Sequence, residues 1–564
     1  MRALRSILLP ALLPLFALAC AEETPKRASN GVELSELDGI DYTLQIEMVL
    51  PTNEFDLLDE VTTVSLVVNN GDGTRIEAMT WDLLNEIETT PATQLPALTS
   101  AWLSLVATDA SGATVAVGKV GPITATTGLI QLSVLMAAPN RFAWPPQLSE
   151  NLHGSAVGSM GDGTFYVFGG STKQPGTSAG GVDTVWRLNF TSSTATPTLA
   201  QVGQMPPFSE SEDGRAGHTV TLLPSAAGAY AGWFLIAGGV PNFGGVDNAA
   251  TTELALWNPA DGSSIPLPNG SGGSQSLTNE RFFHRALLTP SGRVYFVGGL
   301  QTSNPVDPVQ AVELFDPASS AVERFSGSFT DFLGFGAAAA VLPDERLVVC
   351  GGMEGGRAGS DGYLADMKVS GQCNLLDPAD LTVNAMEDLP SPAAHAAMLT
   401  LSDGSLLLSG GLPGVQDGEA SYVPLTGDMP ASNAVYRYKD GAWETAGALL
   451  IARSGHQMAE LPDGRVLIWG GSSNPDDCFF GGEQSIAWAE LYNPGAQTST
   501  FVDPACAAAP ESCDPTEDEG DLPQAVSFPA FAVDPSFGVL TVGGVDKDNS
   551  PSESLALFRF EELP

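Results

Sequence analysis

Histidine and cysteine are the residues of this sequence best suited to catalysis or metal binding, and both are scarce. Imidazole can act as a general acid, a general base or a metal ligand, and thiolate can act as a nucleophile or a zinc ligand. The chain of 564 residues has six cysteines and five histidines, which are His153, His218, His284, His395 and His456. No two cysteines form a Cys-x-x-Cys pair, so the sequence predicts no metal site.

The elements that must position these side chains repeat along the chain. Seven short apolar runs each end in two glycines, at intervals from 53 residues (Gly298 to Gly351) to 73 residues (Gly470 to Gly543). The pairs are Gly169-Gly170, Gly238-Gly239, Gly298-Gly299, Gly351-Gly352, Gly410-Gly411, Gly470-Gly471 and Gly543-Gly544. A recurring unit of this size is typical of a propeller or a solenoid, in which each unit buries its faces against its neighbours.

Most units show the same order of strand signals. A strand rich in glycine and alanine, such as 334–340, comes first and suits the crowded axis of a propeller. A tight turn leads to the apolar strand that ends in the glycine pair, and a third strand carries a late aromatic residue. From about Phe142 to Phe560 this pattern resembles the Kelch repeat, which implies a β-propeller of four-stranded blades. The outer-strand tryptophan of that family is clear only at Trp443.

The repeat also accounts for the histidines. They precede the next glycine pair by 14 to 20 residues, and three follow an arginine three positions earlier, at Arg215, Arg281 and Arg453. We therefore predict that all five occupy one repeat-equivalent, structural position. Copper radical oxidases that resemble galactose oxidase use two histidines and two tyrosines at the metal, and no histidine is left over here for such a site. The sequence therefore assigns no catalytic residue and favours a protein that is not an enzyme.

The composition narrows the range of partners. Lys and Arg number 23 and Asp and Glu number 66, so the net charge is −43. This charge repels nucleic acid and anionic lipid headgroups, because both are bound through Lys and Arg. The acidic segments 476–477 and 517–521 offer carboxylates to calcium, but neither has the spacing of an EF-hand. We therefore predict no cofactor and no nucleic-acid partner.

The N-terminus has the features of an export signal. Arg2 and Arg5 precede an apolar run over 7–19 that is too short to span a bilayer. Ala19-Cys20 at the end of this run resembles the lipobox of bacterial lipoproteins, although Ala17 stands where that family prefers leucine. The resemblance implies a signal peptide over 1–20, acylation of Cys20, and an exported protein anchored by its lipid in the bacterial cell envelope, at the outer membrane or cell surface.

Two domains are predicted after a linker over 21–31. Apolar residues alternate with polar ones across 32–140 and indicate about six strands, which favours an immunoglobulin-like β-sandwich. The repeats predict a seven-bladed Kelch β-propeller over 141–564, so the fold class is all-β. The seventh unit has no residues left for a fourth strand, and we predict that the segment 142–148 supplies it and closes the ring.

Disulfides are expected in an exported protein. Cys350 ends a second strand and Cys373 lies on the third strand of the same unit, so these two are predicted to pair. Cys478, Cys506 and Cys513 fall on one face of the propeller. One bond is expected among these three, and the sequence does not say which two form it.

Long loops between second and third strands make one propeller face the predicted binding face. These loops are 171–183, 353–366, 412–433 and 472–487, and the connection 503–524 joins them. Long loops on a rigid scaffold commonly carry function, so we expect a binding scaffold for a protein or glycan. The alternative is an extracytoplasmic sugar-active enzyme of mutarotase or lyase type, with Arg, Glu or Tyr side chains at the central channel.

Overall fold

A computed structural model describes most of the chain beyond residue 40. The described residues are 27–28, 41–54, 56–82, 87–88, 97–125, 127–174, 180–191, 198–206, 214–241, 250–269, 272–303, 306–325, 334–354, 357–358, 364–365, 368–417, 420–422, 430–474, 484–510, 520–548 and 550–561. They are nearly all strand or turn, with a 3-10 segment at Ser225–Tyr230 and a short helix at Pro504–Ala508. Neither of these segments is long and apolar enough to cross a membrane.

Two packed sheets form what we call the N-terminal β region, which comprises the described residues among 27–28 and 41–138. One sheet has the strand order Ile87–Glu88, Arg75–Asp82, Thr63–Asn69, Leu98–Thr108, Thr114–Ala125, and the other has the order Arg27–Ala28, Asp41–Val49, Thr127–Leu135. Alternate side chains of both sheets point into one core, in which Met48 and Val134 of the smaller sheet pack with Leu66 and Leu105 of the larger. The strands predicted from this alternation are therefore present.

Seven four-stranded antiparallel sheets of the repeat follow within the described residues, and we number them I to VII. Sheet I is Ala156–Ser159, Thr164–Ser171, Gly181–Asn189, Thr198–Gln204; sheet II is Thr219–Leu222, Phe234–Ala237, Leu254–Trp257, Ser264–Pro266; sheet III is Arg285–Leu288, Val294–Val297, Glu313–Asp316, Ala321–Arg324. Sheet IV is Ala338–Val341, Leu347–Cys350, Cys373–Asp377, Thr382–Ala385; sheet V is Ala397–Thr400, Leu406–Ser409, Ala434–Lys439, Ala442–Ala448. Sheet VI is Gln457–Glu460, Val466–Trp469, Glu490–Asn493, Thr498–Phe501; sheet VII is Ala530–Asp534, Gly538–Val542, Leu555–Arg559, Phe142–Ala143.

The first strands of these sheets surround a common axis. The first strand of sheet I contacts those of II and VII, and contacts continue from II to III, III to IV, IV to V and V to VI. The Phe528 N–H donates to the Gly455 carbonyl (2.9 Å) and joins VI to VII. The chain therefore has a β-propeller-like fold, and buried alanines such as those of Ala338–Val341 permit close approach at the axis.

The closing strand, Phe142–Ala143, is the fourth strand of sheet VII and confirms the predicted ring closure. Phe142 pairs with Phe558 and Ala143 with Leu557. The rings of Phe142 and Phe558 meet edge to face, 5.2 Å apart, and both lie in the core between sheets VI and VII. Because the closing strand precedes sheet I in the chain, its pairing ties the first sheet to the last.

The glycine pairs hold neighbouring sheets together. All fourteen glycines have positive φ, from 48° to 110°, a conformation that disfavours other residues. A Cβ on Gly351 would lie 2.1 Å from the carbonyl oxygen of Ala393 in the chain leading to sheet V. The next glycine, Gly352, donates its N–H to that same carbonyl (2.8 Å). The pair therefore permits a contact between sheets that a side chain would block.

The long loops of sheets IV and V form an additional structure on the face where they emerge. Met353–Glu354, Lys368–Val369, Ala420–Tyr422 and Val415–Asp417 make a four-stranded sheet in this order. Lys368 pairs with Tyr422 and Val369 with Ser421, which joins the loop of one sheet to the loop of its neighbour. These segments are strands rather than the irregular loops that the sequence predicted.

Candidate functional site

One register position, which we call the channel ring, is shared by the first strands of all seven sheets. It lies at the end of these strands where the long loops emerge, and we call this end of the propeller axis the channel mouth. At this position the residue pairs with the one that directly precedes the glycine pair. The seven residues are Ala156, Thr219, Arg285, Ala338, Ala397, Gln457 and Ala530. Six of them are neutral and four of those are alanine, so Arg285 supplies the charge of this ring.

Arg285 reaches across the channel from sheet III toward sheets V and VI. Its Nη2 donates to the carbonyl of Ala396 (3.5 Å), which lies directly before sheet V. Its positive charge contributes to lowering the pKa of His395 and of His456, as expected for a cation held near both rings. Arg285 is half-buried and makes no ion pair with any residue that the structure describes. A guanidinium in this position is suited to binding an anion.

A belt of backbone hydrogen bonds frames this mouth. The belt residues lie two positions before the channel ring and have φ from 50° to 74°: Gly154, Gly217, Phe283, Gly336, His395, Gly455 and Phe528. N–H groups donate to the belt carbonyl of the preceding sheet from Gly217 to Gly154 (2.7 Å), Phe283 to Gly217 (2.7 Å), His395 to Gly336 (2.8 Å), Gly455 to His395 (2.9 Å) and Phe528 to Gly455 (2.9 Å). Three ring-bearing residues thus adopt a conformation that usually requires glycine.

The rings on this belt form an aromatic wall near Arg285. The imidazole of His395 lies 4.6 Å from the ring of Phe335 and 5.1 Å from that of Phe528, edge to face in both cases. It also covers Gly336, where a Cβ would lie within 2.9 Å of three ring atoms. His395 is buried by these contacts, whereas Phe283 and Phe528 are half-buried. The mouth therefore combines one cation with the partly exposed rings of Phe283 and Phe528, a combination that suits a small organic anion.

The histidines do not share one position, contrary to the sequence prediction. His218, His284 and His456 directly precede the channel ring, whereas His395 lies one residue earlier, on the belt, and His153 one residue earlier still. The offset to the glycine pair is 14 residues for His284 and His456, 15 for His395 and 16 for His153. The offset of 20 for His218 includes the inserted segment Ser225–Tyr230. A difference of one or two residues is enough to change the position in a strand register. Only the three histidines with an arginine three positions earlier are equivalent.

Two of the three equivalent histidines, His284 and His456, bind the preceding sheet. His284 Nε2 lies 2.9 Å from Thr219 Oγ1, and His456 Nε2 lies 2.8 Å from Ser409 Oγ. Burial is the main reason that the pKa of His218 and of His395 falls to about 3 and that of His153 to about 4. These rings are neutral near pH 7, so they are poor proton donors for general acid catalysis there.

Acidification is expected to lower the melting temperature. Each histidine pKa is lowered in the folded state, so its contribution to stability is present above about pH 6.5 and is lost as the pH falls toward 4 and then 3. Glu54 and Asp521, whose pKa is raised to about 7 by burial, act in the opposite direction. Five histidines outweigh two carboxyl groups, so thermal scans at pH 7.5 and pH 5 should show the lower value at pH 5. A melting temperature that rises on acidification would contradict this balance.

Buried ion pairs explain the arginines of the repeat. Arg281 Nη2 lies 2.6 Å from Glu313 Oε2, and Arg453 Nη2 lies 2.7 Å from Glu490 Oε1; all four side chains are fully buried. Arg215 bonds Glu253 in the same way (2.8 Å), although Glu253 is one-third exposed. Each arginine also donates to the first glycine of its own pair: Arg215 to Gly238 (3.2 Å), Arg281 to Gly298 (3.1 Å) and Arg453 to Gly470 (3.0 Å). These arginines are structural, unlike Arg285.

The cysteines and the acidic segments are the remaining residues that were predicted from the sequence. Cys350 and Cys373 pair in register on adjacent strands and form a disulfide, as predicted. Cys506 is also disulfide-bonded; Cys20, Cys478 and Cys513 lie outside the described residues. Residues 476–477 and 517–519 lie outside them too. Within the described residues, no cluster of three or more His, Cys, Asp or Glu side chains could hold a metal ion.

Comparison with known proteins does not assign this chain to a family. No protein family and no curated protein matches this chain. Among solved structures, YjhT is 14% identical, covers 63% of this chain and 99% of its own, and has a TM-score of 0.40. A fungal alcohol oxidase of the AA5 family, in complex with copper, is 13% identical, covers 74% of this chain and 76% of its own, and has a TM-score of 0.48. Similarity at this level carries no activity over to this chain. Its β-propeller-like fold follows from the arrangement of its own sheets.

Proposed function

We propose that this chain is an exported, seven-bladed Kelch-type propeller whose channel mouth binds a small organic anion, with an acidic sugar as the favoured class. The observation that carries the proposal is Arg285, a half-buried guanidinium among the neutral residues of the channel ring. An immunoglobulin-like domain over 32–140 and a lipid on Cys20 belong to the same proposal. Both would hold the propeller at the cell envelope.

The chemistry of the mouth supports an anionic ligand. Carboxylate and phosphate groups bind a guanidinium through paired, charge-assisted hydrogen bonds, which are stronger in a partly dehydrated site. The half-buried belt rings of Phe283 and Phe528 offer flat faces for the apolar side of a sugar ring or another planar group. The net charge of −43 would repel an anion elsewhere on the surface, so this cation gives the channel its selectivity.

The proposed binding site lies in the channel, as in the sugar-active alternative, rather than on the long loops. Much of the long loops lies outside the described residues, and the described parts support no scaffold site. An enzyme would use Arg285 to hold the anionic group of its substrate, with a separate acid or base for proton transfer. Sugar turnover in the channel is therefore the second candidate, and it shares the same binding residue.

A carbohydrate panel separates these possibilities. The purified protein is tested for binding and for turnover against matched acidic and neutral sugars, beside Arg285→Gln and Arg324→Gln. Arg324 is exposed on the fourth strand of sheet III and serves as the control. We expect acidic sugars to bind, with at least tenfold loss in Arg285→Gln and no change in Arg324→Gln. Binding that survives Arg285→Gln would contradict the proposal; turnover by the wild type would establish the enzyme candidate.

A further inference from the structure

The N-terminal β region contacts the closing strand through a short loop, residues 51–54, which we call the clasp loop. Asn53 Nδ2 donates to the Phe142 carbonyl (2.9 Å), and Asn53 Oδ1 accepts from the Trp144 N–H (2.9 Å). The side-chain amide thus pairs with the closing strand as a neighbouring strand would. The Thr52 N–H adds a bond to the Trp144 carbonyl (3.1 Å). The outer edge of the closing strand is therefore covered by the clasp loop.

Apolar packing extends this junction. Val49 and Leu135 of the N-terminal β region share a core with Leu148, Leu540 and Leu557 of the propeller-like part. The segment that leads to the closing strand is also held on its other side, since the Asn140 N–H donates to the Arg559 carbonyl (2.8 Å). The closing strand is thus fixed between sheet VII and the N-terminal β region.

A carboxyl group is buried at the base of the clasp loop. Glu54 is 7% exposed, and its Oε2 accepts from the Ala138 N–H at 3.3 Å. The charged groups that act on it are Arg141, which favours the carboxylate, and Asp56, which disfavours it. A carboxylate that is buried here with one long hydrogen bond has lost most of its solvation by water. Burial therefore favours the uncharged, protonated acid.

We propose that the contact between the clasp loop and the closing strand depends on pH. The loop holds the strand in place at mildly acidic pH and releases it as the pH rises past neutrality. Burial raises the pKa of Glu54 from 4.5 to about 7. The stability that its proton gives the closed junction is complete below about pH 4.5 and is lost as the pH rises through 7. The ring closure of the propeller is thereby linked to the N-terminal β region and to external pH.

A second carboxyl group on the far side of the junction acts in the same direction. The Trp144 Nε1–H donates to the Asp521 carbonyl (3.0 Å), and the Asp521 carboxylate accepts from the Ala489 N–H (2.8 Å). Burial raises the pKa of Asp521 to about 7. Asp503 adds to this increase, and Arg141 and Arg453 oppose it. Arg141 therefore lies within reach of both carboxyl groups.

Hydrogen exchange tests the proposal on the full-length protein. Protection of the amides in 138–146, corrected for intrinsic exchange rates, should fall by more than tenfold between pH 6 and pH 8. The fraction of closed junctions with a protonated Glu54 falls about tenfold over this range, and Asp521 adds to the change. Glu54→Gln keeps the size and the acceptor and should make the fall about tenfold smaller than in the wild type, leaving the part due to Asp521. Glu60→Gln, an exposed change six residues later, should behave as the wild type.

A second variant does not depend on titration. Asn53→Ala removes both bonds to the closing strand and should lower the protection of the Trp144 amide at pH 6 and at pH 8 alike. The proposal is overturned if Glu54→Gln retains the full pH dependence, or if Asn53→Ala leaves this amide as protected as in the wild type. Neither result bears on the channel site, which is tested separately by ligand binding.

Discussion

Glu490→Gln is expected to destabilise the protein by about 3–5 kcal/mol, because it leaves a buried arginine without its counter-charge. Glu490 accepts from Arg453 Nη2 (2.7 Å) and from the N–H groups of Leu450 (2.7 Å) and Ile451 (3.0 Å). Arg453 in turn donates to the carbonyls of Gly470 and Trp488. Loss of this charge therefore disturbs the joint between sheets V and VI. A fall in the chemical denaturation midpoint measures the effect.

Two controls isolate the ion pair. Glu444→Gln changes an exposed side chain on the fourth strand of sheet V and should alter stability by less than about 0.5 kcal/mol. Replacing Arg453 and Glu490 together with methionine should cost less than Glu490→Gln alone, since no buried charge remains. If Glu490→Gln matched Glu444→Gln in stability, the pair would not have the structural role assigned to it.

Phe142→Ala is expected to cost about 3–5 kcal/mol, since the ring fills a core position and the strand that carries it closes the ring of sheets. Phe142 is 3% exposed and packs on Phe558. A chain that begins at residue 152 loses the entire strand and should melt at a lower temperature than one that begins at 139. The chain from 139 lacks the clasp loop, so its melting temperature should fall between that of the shorter chain and the full length.

Thermal scans of the three chains test this order. Equal melting temperatures for the chains that begin at 139 and 152 would show that the closing strand adds nothing to stability. Phe142→Ala avoids truncation, and Val533→Ala is its control, because Val533 is more than one-third exposed on the first strand of the same sheet. An equal effect of these two substitutions would argue against ring closure as the source of the stability.

The sequence was sufficient to predict the repeat, because its signals are local. A glycine pair after an apolar run fixes the end of a second strand within one unit, as Gly351 and Gly352 do. The closing strand was predicted because residues were missing from the last unit and a matching segment preceded the first. The Cys350–Cys373 bond followed from the placement of two residues on adjacent strands.

Long-range partners could not be predicted in the same way. Arg281 and Arg453 stood out by their spacing from histidine, but Glu313 and Glu490 lie 32 and 37 residues further along the chain. The sequences Glu313-Leu-Phe and Glu490-Leu-Tyr at the start of third strands were the available signal. The pairing of Lys368–Val369 with Ala420–Tyr422 joins two units and leaves no local pattern to detect.

The position of the candidate site depends on the register of the first strand of sheet III. Arg285 follows His284 in the sequence and is one of 23 basic residues, so nothing marked it as special. Pairing with Val297 places it at the channel position that alanine occupies in four other sheets. His395 was misassigned for the same reason, because one residue of offset moved it from the position directly before the strand to the belt.

A crystal structure with the tightest-binding acidic sugar from the panel shows directly whether Arg285 binds the ligand. We expect carboxylate oxygens within hydrogen-bond distance of the Arg285 guanidinium, with the sugar ring against the belt ring of Phe528. We also expect that Arg285→Gln crystals grown under the same conditions contain no ligand in the channel. A sugar bound only on the outer loops, with Arg285 still directed at the Ala396 carbonyl, would contradict the proposed site.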